Sequence, residues 1–366
     1  MTHSTLRHAR RPDDGFTLTE SLIAMTLMLV ITGTVFGLVN NNALTTQAQP
    51  EAMDMQQRAR IAGDMLSRDL FMAGAGVYAG PQTGALVNFF APIIPRRMGM
   101  TGADPYTIVR PDAVTISYIP NTYSQTTIRD PMPLPSSELK VEPNPNCPKH
   151  NQLCGFEEGM TVLIFDREGH FDFFTLTQVQ DDAAHLQHHQ QDLSYAYQPG
   201  AVITQADSHT YYYDAAQRQL RHYDGYLTDR PLVDNVVGVR LDYFGDPLPP
   251  TNPKPPAGLA NCLYDAGGNF LAGLAVLTPD GGSLAQLPLA MLNDGPWCGD
   301  GQNRFDADLL RVRKVRFTIR VQASLDSLRA TGADYNVAGT SRSAYKSLPD
   351  YTLVFEVSPR NMNLGR

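Results

Sequence analysis

The sequence lacks the motifs by which common catalytic sites are recognised. It contains no G-x-S-x-G nucleophile elbow, no P-loop and no papain-like context around a cysteine. Carboxylate pairs such as Glu157–Glu158 and Asp181–Asp182 are adjacent along the chain. In a strand, neighbouring side chains point to opposite faces, so these pairs do not converge on a reacting group. We therefore expect no enzymatic activity and no cofactor.

Positive charge is also in short supply. The 366 residues include 29 Lys and Arg against 37 Asp and Glu, which gives a net charge of −8. Proteins that bind nucleic acid neutralise phosphates with basic side chains, so nucleic acid is not an expected partner. With 42% hydrophobic and 18% charged residues, the composition is that of a globular protein.

One long apolar run is present near the N-terminus. It begins after Gly15 and contains a single charged residue, Glu20. As a helix, residues 16–39 would span about 36 Å, enough to cross a bilayer core of about 30 Å. Three arginines precede the run, at Arg7, Arg10 and Arg11. Basic residues on this flank predict a cytoplasmic N-terminus and an exported remainder.

The head of the run carries a specific pattern. Gly15 is followed by Phe16 and, at the fifth position after the glycine, by Glu20. This pattern resembles the type IV prepilin signature. The resemblance implies that a prepilin peptidase cleaves after Gly15 and methylates the new amino group of Phe16. It also implies that Glu20 pairs with the charged N-terminus of a neighbouring subunit, which would offset the desolvation of a carboxylate.

Two other interpretations of the run remain open. It is compatible with an ordinary signal anchor that carries an isolated glutamate. It is also compatible with a secretory signal peptide cleaved near Ala48, because basic residues before an apolar stretch are typical of such peptides. Neither interpretation explains the glycine, phenylalanine and glutamate at the head of the run.

Later segments resemble the same superfamily. They are HTYYYD, QLRHYDG, VVGVRLDYFG, NRFDADLLRVRKVRFTIRVQAS and the terminal PRNMNLGR, in this order. The order is similar to that of PilW-type minor pilins, which are related to the J-type pseudopilins of type II secretion. The resemblance implies a subunit that helps to initiate pilus assembly and lies at or near the filament tip. Its implied partners are other minor pilins, the major pilin and the inner-membrane assembly platform.

The implied location is the bacterial inner membrane, with one span and a periplasmic head, followed by the pilus filament at the cell surface. A type II secretion pseudopilin shares every one of these motifs and is the first alternative function. A tip adhesin that binds ligand through its inserted loops is the second, and a membrane-anchored enzyme is the third.

The expected fold class is α+β, with a long N-terminal helix packed on an antiparallel β-sheet head. Apolar residues after the membrane segment recur at threes and fours, which predicts an amphipathic continuation of the helix. Pro50 is expected to kink or break it. The predicted segments are a leader at 1–15, a membrane helix at 16–39, its continuation at 40–80 and a head at 81–366. The head has long inserted loops at about 120–155 and 246–300.

Four cysteines lie in the part of the chain that is expected to be exported. Disulfides are therefore favoured over a zinc site, which is also disfavoured because no C-x-x-C pair occurs. Three connectivities are possible. Sequence proximity favours Cys147 with Cys154 and Cys262 with Cys298.

Two groups of residues are weak candidates for metal binding. Oxygen-bearing side chains that could hold calcium lie at Asp300, Asn303, Asp306 and Asp308, but the EF-hand pattern is not met. Imidazoles that suit zinc or copper lie at His185, His188 and His189, in a stretch expected to be a solvated loop. We expect no metal at either group.

Overall fold

A computed structural model describes residues 15–76, 86–99, 102–120, 123–189, 192–271, 273–329 and 348–363. The predicted leader up to residue 14 and the last three residues of the C-terminal motif lie outside the described residues. The chain divides into two compact units. Met1–Met53 with Ser324–Pro349 forms the first, and Asp54–Ala323 with Asp350–Arg366 forms the second.

The long helix α1 comprises Leu18–Met72 and contains Pro50 without interruption. A break at the proline, one of the two outcomes expected there, therefore does not occur. The chain leaves the helix through Gly74, whose φ of 67° lies in the left-handed region that favours glycine. A Cβ at this position would lie 2.6 Å from a methyl carbon of Val87, so the space also requires glycine.

Eighteen strands are found in the described residues, most of them short. They are β1 Ile93–Ile94, β2 Ala113–Tyr118, β3 Gln125–Thr127, β4 Leu139–Lys140, β5 Thr161–Phe165, β6 Phe171–Thr175, β7 Gln178–Gln180, β8 His185–Gln187, β9 Val202–Gln205, β10 Asp207–Asp214, β11 Gln219–Tyr223, β12 Asp229–Val233, β13 Val236–Gly245, β14 Ala285–Leu287, β15 Trp297–Cys298, β16 Phe305–Asp306, β17 Val312–Val321 and β18 Tyr351–Val357.

Short 3-10 helices connect several strands. They comprise Leu86–Asn88, Asp181–Ala183, Met291–Asn293, Gly301–Asn303, Ala307–Arg311, Asp326–Leu328 and Asn361–Asn363.

The named strands pair antiparallel. A five-stranded sheet has the order β1-β2-β10-β11-β12, and a four-stranded sheet has the order β14-β13-β17-β18. A second four-stranded sheet has the order β3-β9-β5-β6, beside a three-stranded sheet, β4-β8-β7, and the pair β15-β16. A long helix with antiparallel sheets confirms the α+β class.

The second half of α1 packs on strands of the second unit. Its buried face consists of Ala59, Ala62, Leu66, Leu70 and Ala73, all fully buried. Their spacing of three and four residues places them on one side of the helix. A Cβ at Gly63 would lie 3.2 Å from Leu353 and 3.3 Å from Phe355, which shows how closely the backbone approaches β18. Small residues therefore make this contact possible.

Three of the apolar residues expected on the buried face of this helix are exposed instead. They are Met53, Ile61 and Phe71. The same pattern also contains Met55, Leu66 and Leu70, which are buried as expected. The large apolar residues therefore predicted the helix and part of its buried face, but not the alanines and the glycine that complete it.

Apolar and polar residues alternate in the sequence of residues 309–324, which predicts a strand, and the structure has β17 there. Val315, Phe317, Ile319 and Val321 are buried, whereas Arg320 is exposed. The opposite face of this strand carries charge pairs, such as that of Arg316 with Glu356 at 2.6 Å. One face of the four-stranded sheet thus belongs to the core and the other to solvent.

The segment expected as a loop at about 120–155 contributes to a core of its own. It contains β3 and β4, and five of its apolar side chains lie in a cluster with residues of β5, β6, β8 and β9. Those side chains belong to Ile128, Met132, Leu139, Val141 and Leu153. The prolines predicted irregular backbone, but they do not prevent burial of the apolar side chains between them.

The other expected loop, at about 246–300, also contains ordered pairing. β14 extends the sheet of β13, with Tyr243 opposite Leu287. β15 pairs with β16, with Trp297 opposite Asp306. The middle of the segment is more exposed, and it carries exposed apolar side chains at Leu248, Leu259, Phe270 and Val276.

Candidate functional site

The N-terminal segment has a defined helix start at the position where the sequence carries its signature. Gly15 and Phe16 precede the helix, and the side chain of Phe16 is 88% exposed. The Thr17 hydroxyl accepts a hydrogen bond from the backbone N–H of Glu20 at 3.3 Å. In return the Glu20 carboxylate accepts the Thr17 backbone N–H at 2.9 Å and its hydroxyl at 2.8 Å. This reciprocal arrangement is a capping box.

The capping box gives Glu20 a local role. Its carboxylate lies in the first turn of α1, where it satisfies an N–H group that has no partner within the helix. A negative charge at this end also interacts favourably with the helix dipole. The spacing of Thr17 and Glu20 is typical of a capping box, but the expectations above did not include this cap.

The helix that follows meets the requirements for a membrane span by length and composition. Among the described residues, one stretch does so, Leu18–Val39, with 22 residues and a mean hydropathy of 2.3. None of its 18-residue apolar window is buried against protein. The hydroxyl of Thr26 donates to the carbonyl of Ile23 at 2.8 Å, and that of Thr34 to the carbonyl of Ile31 at 2.8 Å. These two hydroxyls are therefore satisfied within the helix, as lipid requires.

The cysteines form two disulfides, Cys147–Cys154 and Cys262–Cys298. These are the pairs that proximity in the sequence favours. The first closes a short loop in the segment 120–155. The second lies within the segment 246–300 and joins Cys262 to Cys298 of β15. Both therefore constrain the long irregular segments.

The four residues considered for calcium do not come together. Asp300 lies beside the imidazole of His170, with its Oδ2 3.0 Å from Nε2. Asn303 donates to the carboxylate of Asp172. Asp306 and Asp308 are buried elsewhere and lie near Asp294. The four side chains therefore take part in three separate clusters.

The cluster of Asp294, Asp306 and Asp308 already contains a cation. The Nε atom of Arg311 lies 2.8 Å from Oδ1 of Asp308, and both side chains are almost fully buried. Burial raises the pKa of Asp308 to about 7 despite the charge of Arg311, and it raises that of Asp306 to about 6. The carboxylates thus relieve their desolvation partly by pairing and partly by protonation.

His170 lies between two carboxylates at the turn between β5 and β6. Its Nδ1 is 2.6 Å from Oδ2 of Asp166, and its ring stacks on Tyr195 with centroids 3.9 Å apart. Burial acts to lower the pKa of His170. The hydrogen bond to Asp166 and the charges of Asp166, Asp300 and Glu168 outweigh burial and raise it. The imidazole thus links two acidic side chains from different parts of the chain.

The turn that carries His170 is also tied to its surroundings. The other oxygen of Asp166 accepts the backbone N–H groups of Glu168, Gly169 and His170, each at 2.9 Å. A Cβ at Gly169 would lie 3.4 Å from Cys298. The turn therefore lies close to the second disulfide. The sequence did not reveal this cluster, because Tyr195 and Asp300 are far from His170 along the chain.

The three histidines considered for zinc or copper are dispersed. His188 is buried and lies 2.8 Å from the carbonyl of Ser137 through its Nε2 atom. His185 lies in β8 and contacts Glu138 at 3.3 Å. The stretch is therefore partly a strand, and the expectation of a solvated loop is wrong for these two residues. The reason is Leu186, which anchors β8 in the core.

A different pair of histidines lies together in the five-stranded sheet. His209 of β10 and His222 of β11 face each other near Asp69 of α1. Both histidines lie in segments that the sequence predicts as neighbouring strands. The register of these strands, which brings the two rings together, could not be obtained from the sequence.

Comparison with protein-family models, with curated proteins and with solved structures finds no match to this chain.

Proposed function

We propose that the chain is a minor pilin of a type IV pilus system. It would be a structural subunit that helps to initiate pilus assembly and lies at or near the filament tip. Its partners would be the prepilin peptidase, other minor pilins, the major pilin and the inner-membrane assembly platform. It would occupy the inner membrane before assembly, with a periplasmic head, and the filament at the cell surface afterwards.

The observation that carries the proposal is the start of α1. A glycine–phenylalanine pair is exposed immediately before an apolar helix whose first turn contains Glu20. The peptide bond that such a peptidase would cleave, between Gly15 and Phe16, lies before the capped start of the helix. Its cleavage would therefore break no backbone hydrogen bond of the helix. Cleavage there would leave a new amino group four residues from Glu20.

The local cap of Glu20 refines this mechanism. Hydrogen bonds from Thr17 satisfy the carboxylate oxygen, but they do not neutralise its charge. Within an apolar bundle, a carboxylate requires a cation, because the loss of hydration is otherwise unfavourable by several kcal/mol per ion. The methylated amino group of Phe16 on a neighbouring subunit would supply it. Thr17 would hold the carboxylate at the helix start until that partner arrives.

The exposed apolar residues of Leu18–Val39 support the same assignment. Side chains such as Leu29, Met28 and Phe36 are each 71% or more exposed. In the inner membrane lipid would cover them. In a filament they would pack against helices of neighbouring subunits. One surface would therefore serve both states, and transfer between them would exchange lipid contacts for helix contacts.

A test of the proposal is to delete the gene and to complement the deletion with variants. We expect few or no surface filaments in the deletion strain, restoration by the wild-type chain, and no restoration by Glu20→Gln. Gly15→Leu should leave an uncleaved chain that also fails. Normal filament numbers in the deletion strain, with normal secretion through the type II pathway, would contradict the assignment. Normal filaments with lost secretion would favour the pseudopilin alternative.

The adhesin alternative is favoured by one observation, the exposed apolar residues of the segment 246–300. Leu248 is 62% exposed, Leu259 is 49% exposed and Val276 is 69% exposed. Deleting the whole segment would remove β14 and a disulfide, so serine substitutions at these three positions are the sharper test. Lost surface attachment with intact filaments would support adhesion. Lost filaments would indicate contacts with other subunits.

A further inference from the structure

Three potential metal ligands converge from three different elements of the second unit. Asp69 lies near the end of α1, His209 lies in β10 and His222 lies in β11. Each side chain has one potential ligand atom, a ring nitrogen or a carboxylate oxygen, and the three atoms all lie within 4.8 Å of one another. Tyr211 is opposite His222 in the register of β10 and β11. His209 is two residues before Tyr211 and therefore lies on the same face of the sheet.

The two imidazoles present nitrogens to each other at nearly the separation that a metal requires. Nδ1 of His209 lies 3.0 Å from Nε2 of His222, and the ring planes differ by 17°. Zinc binds imidazole nitrogen at about 2.0–2.1 Å, so two nitrogens at a tetrahedral angle are about 3.3 Å apart. A displacement of a few tenths of an ångström would thus admit the ion between them.

The ligands are held in place by a second set of groups. The hydroxyl of Tyr118 lies 3.1 Å from Nε2 of His209, the nitrogen on the far side of the ring. The hydroxyl of Tyr211 donates to Oδ2 of Asp69. In metal sites, the outer nitrogen of a ligating histidine and the ligating carboxylate are held by such hydrogen bonds, which orient them and fix the tautomer.

The side chain of His222 is enclosed by the protein and directed toward His209. His222 is only 5% exposed, and its Nε2 is the nitrogen that faces Nδ1 of His209. The geometry therefore places one nitrogen of each ring toward the same space.

We propose that Asp69, His209 and His222 bind one divalent first-row transition metal ion, of the class of Zn²⁺, in the exported head. Two imidazole nitrogens and one carboxylate oxygen are borderline ligands that suit zinc and its neighbours better than calcium, which prefers oxygen alone. Water would complete the coordination. The ion would fasten the last turns of α1 to the five-stranded sheet. This inference does not depend on the proposed pilin function.

Two other acidic clusters are less suited to such an ion. His170 has a carboxylate at each nitrogen, at 2.6 and 3.0 Å, so both of its nitrogens already have a partner. Arg311 is paired with Asp308 in the other cluster. Cysteine thiolates are not available as ligands either, because all four cysteines are in disulfides. His170 therefore provides a matched control.

The test uses the full chain, purified in detergent without a histidine tag and stripped of metal with a chelator. Zinc content after equilibrium dialysis gives the stoichiometry. Co²⁺ in place of zinc gives the geometry, since tetrahedral Co²⁺ absorbs strongly in the visible range. We expect one zinc per chain and a tetrahedral Co²⁺ spectrum. His222→Gln and Asp69→Asn should abolish both, whereas His170→Gln should preserve them.

A milder variant and a stability measurement distinguish the loss of the metal site from misfolding of the chain. Tyr211→Phe removes only the hydroxyl that orients Asp69, and we expect zinc affinity to fall about 10- to 100-fold. Zinc should raise the Tm of the wild-type chain and of His170→Gln, but not that of Asp69→Asn. The proposal would be overturned if the wild-type chain binds no zinc saturably. It would also be overturned if His170→Gln abolishes binding while a folded Asp69→Asn retains it.

Discussion

The two halves of α1 differ in whether their apolar side chains are exposed or buried. Leu18–Val39 is apolar on every side, and its side chains are exposed within the chain. Asp54–Met72 is polar on one side and buries small and branched residues on the other. A helix that is apolar all round requires lipid or other helices as its surroundings, whereas a one-sided helix belongs to its own domain. The first half therefore meets the requirements of a membrane span, whereas the second half belongs to the core of the second unit, and the following experiments test that division.

The largest effect on folding should come from the buried face of the second half. Leu66 is fully buried, and Leu66→Ala would leave a cavity where the helix packs, so we expect a loss of about 2–5 kcal/mol in the free energy of unfolding. Urea unfolding of the full chain in detergent, followed by the fluorescence of Trp297, would measure it. Ile61→Ala is the control, because Ile61 is 40% exposed. Equal losses for the two variants would contradict the assigned face.

A charge in the first half should act on the membrane and not on the head. Leu29 is 72% exposed within the chain. Arginine at the centre of a membrane helix is unfavourable by about 2.5–3.5 kcal/mol, so Leu29→Arg should reduce the membrane-bound fraction of the protein. We expect the urea midpoint of the head to stay unchanged. A lower midpoint would show that this half packs on protein of its own chain.

The cap of the first half should have a smaller effect. Thr17→Ala removes a hydroxyl that exchanges hydrogen bonds with Glu20, and such caps contribute about 1 kcal/mol. Hydrogen exchange of the first-turn amides should become faster, while exchange after Asp54 stays unchanged. Thr17→Ser should behave as wild type. No change in the first turn with Thr17→Ala would show that Glu20 has another partner.

The smallest effect should come from the polar side of the second half. Arg58 pairs with Asp54 at 2.7 Å across one helical turn, and Asp54 is half exposed. Pairs of this kind contribute about 0.3–0.5 kcal/mol, so Asp54→Asn should shift the urea midpoint only slightly. A loss as large as that of Leu66→Ala would mean that charge, and not apolar packing, holds the helix to the head.

Local patterns in the sequence were sufficient to predict the helices and strands. They were not sufficient to predict which side of each element is buried or which elements are in contact. Alternation predicted β17 with its buried Phe317 and Ile319, and the apolar run predicted the first half of α1. The buried face of the second half was predicted only in part, because the pattern included Leu66 and Leu70 but not Ala59 and Ala62, which carry little apolar surface. They nevertheless permit the close approach of the helix to the sheet.

The clusters of titratable residues show the same limit. Asp300 and Asp306 are near in sequence, but Asp300 lies beside His170 and Asp306 beside Asp308, because a 3-10 helix at Gly301–Asn303 lies between them. Asp69 and His222 are separated by 153 positions in the sequence (222 − 69). They come together because β10 and β11 pair with each other and lie against α1. Sites of this kind depend on tertiary structure, which spacing along the chain does not encode.

The most direct test of the pilin proposal is the N-terminal mass of the membrane-bound protein, with and without a prepilin peptidase. The proposal predicts a chain that begins at methylated Phe16 when the peptidase is present, and an intact leader when it is absent. A leader that remains in both strains, or a start near Gln49, would contradict the pilin assignment.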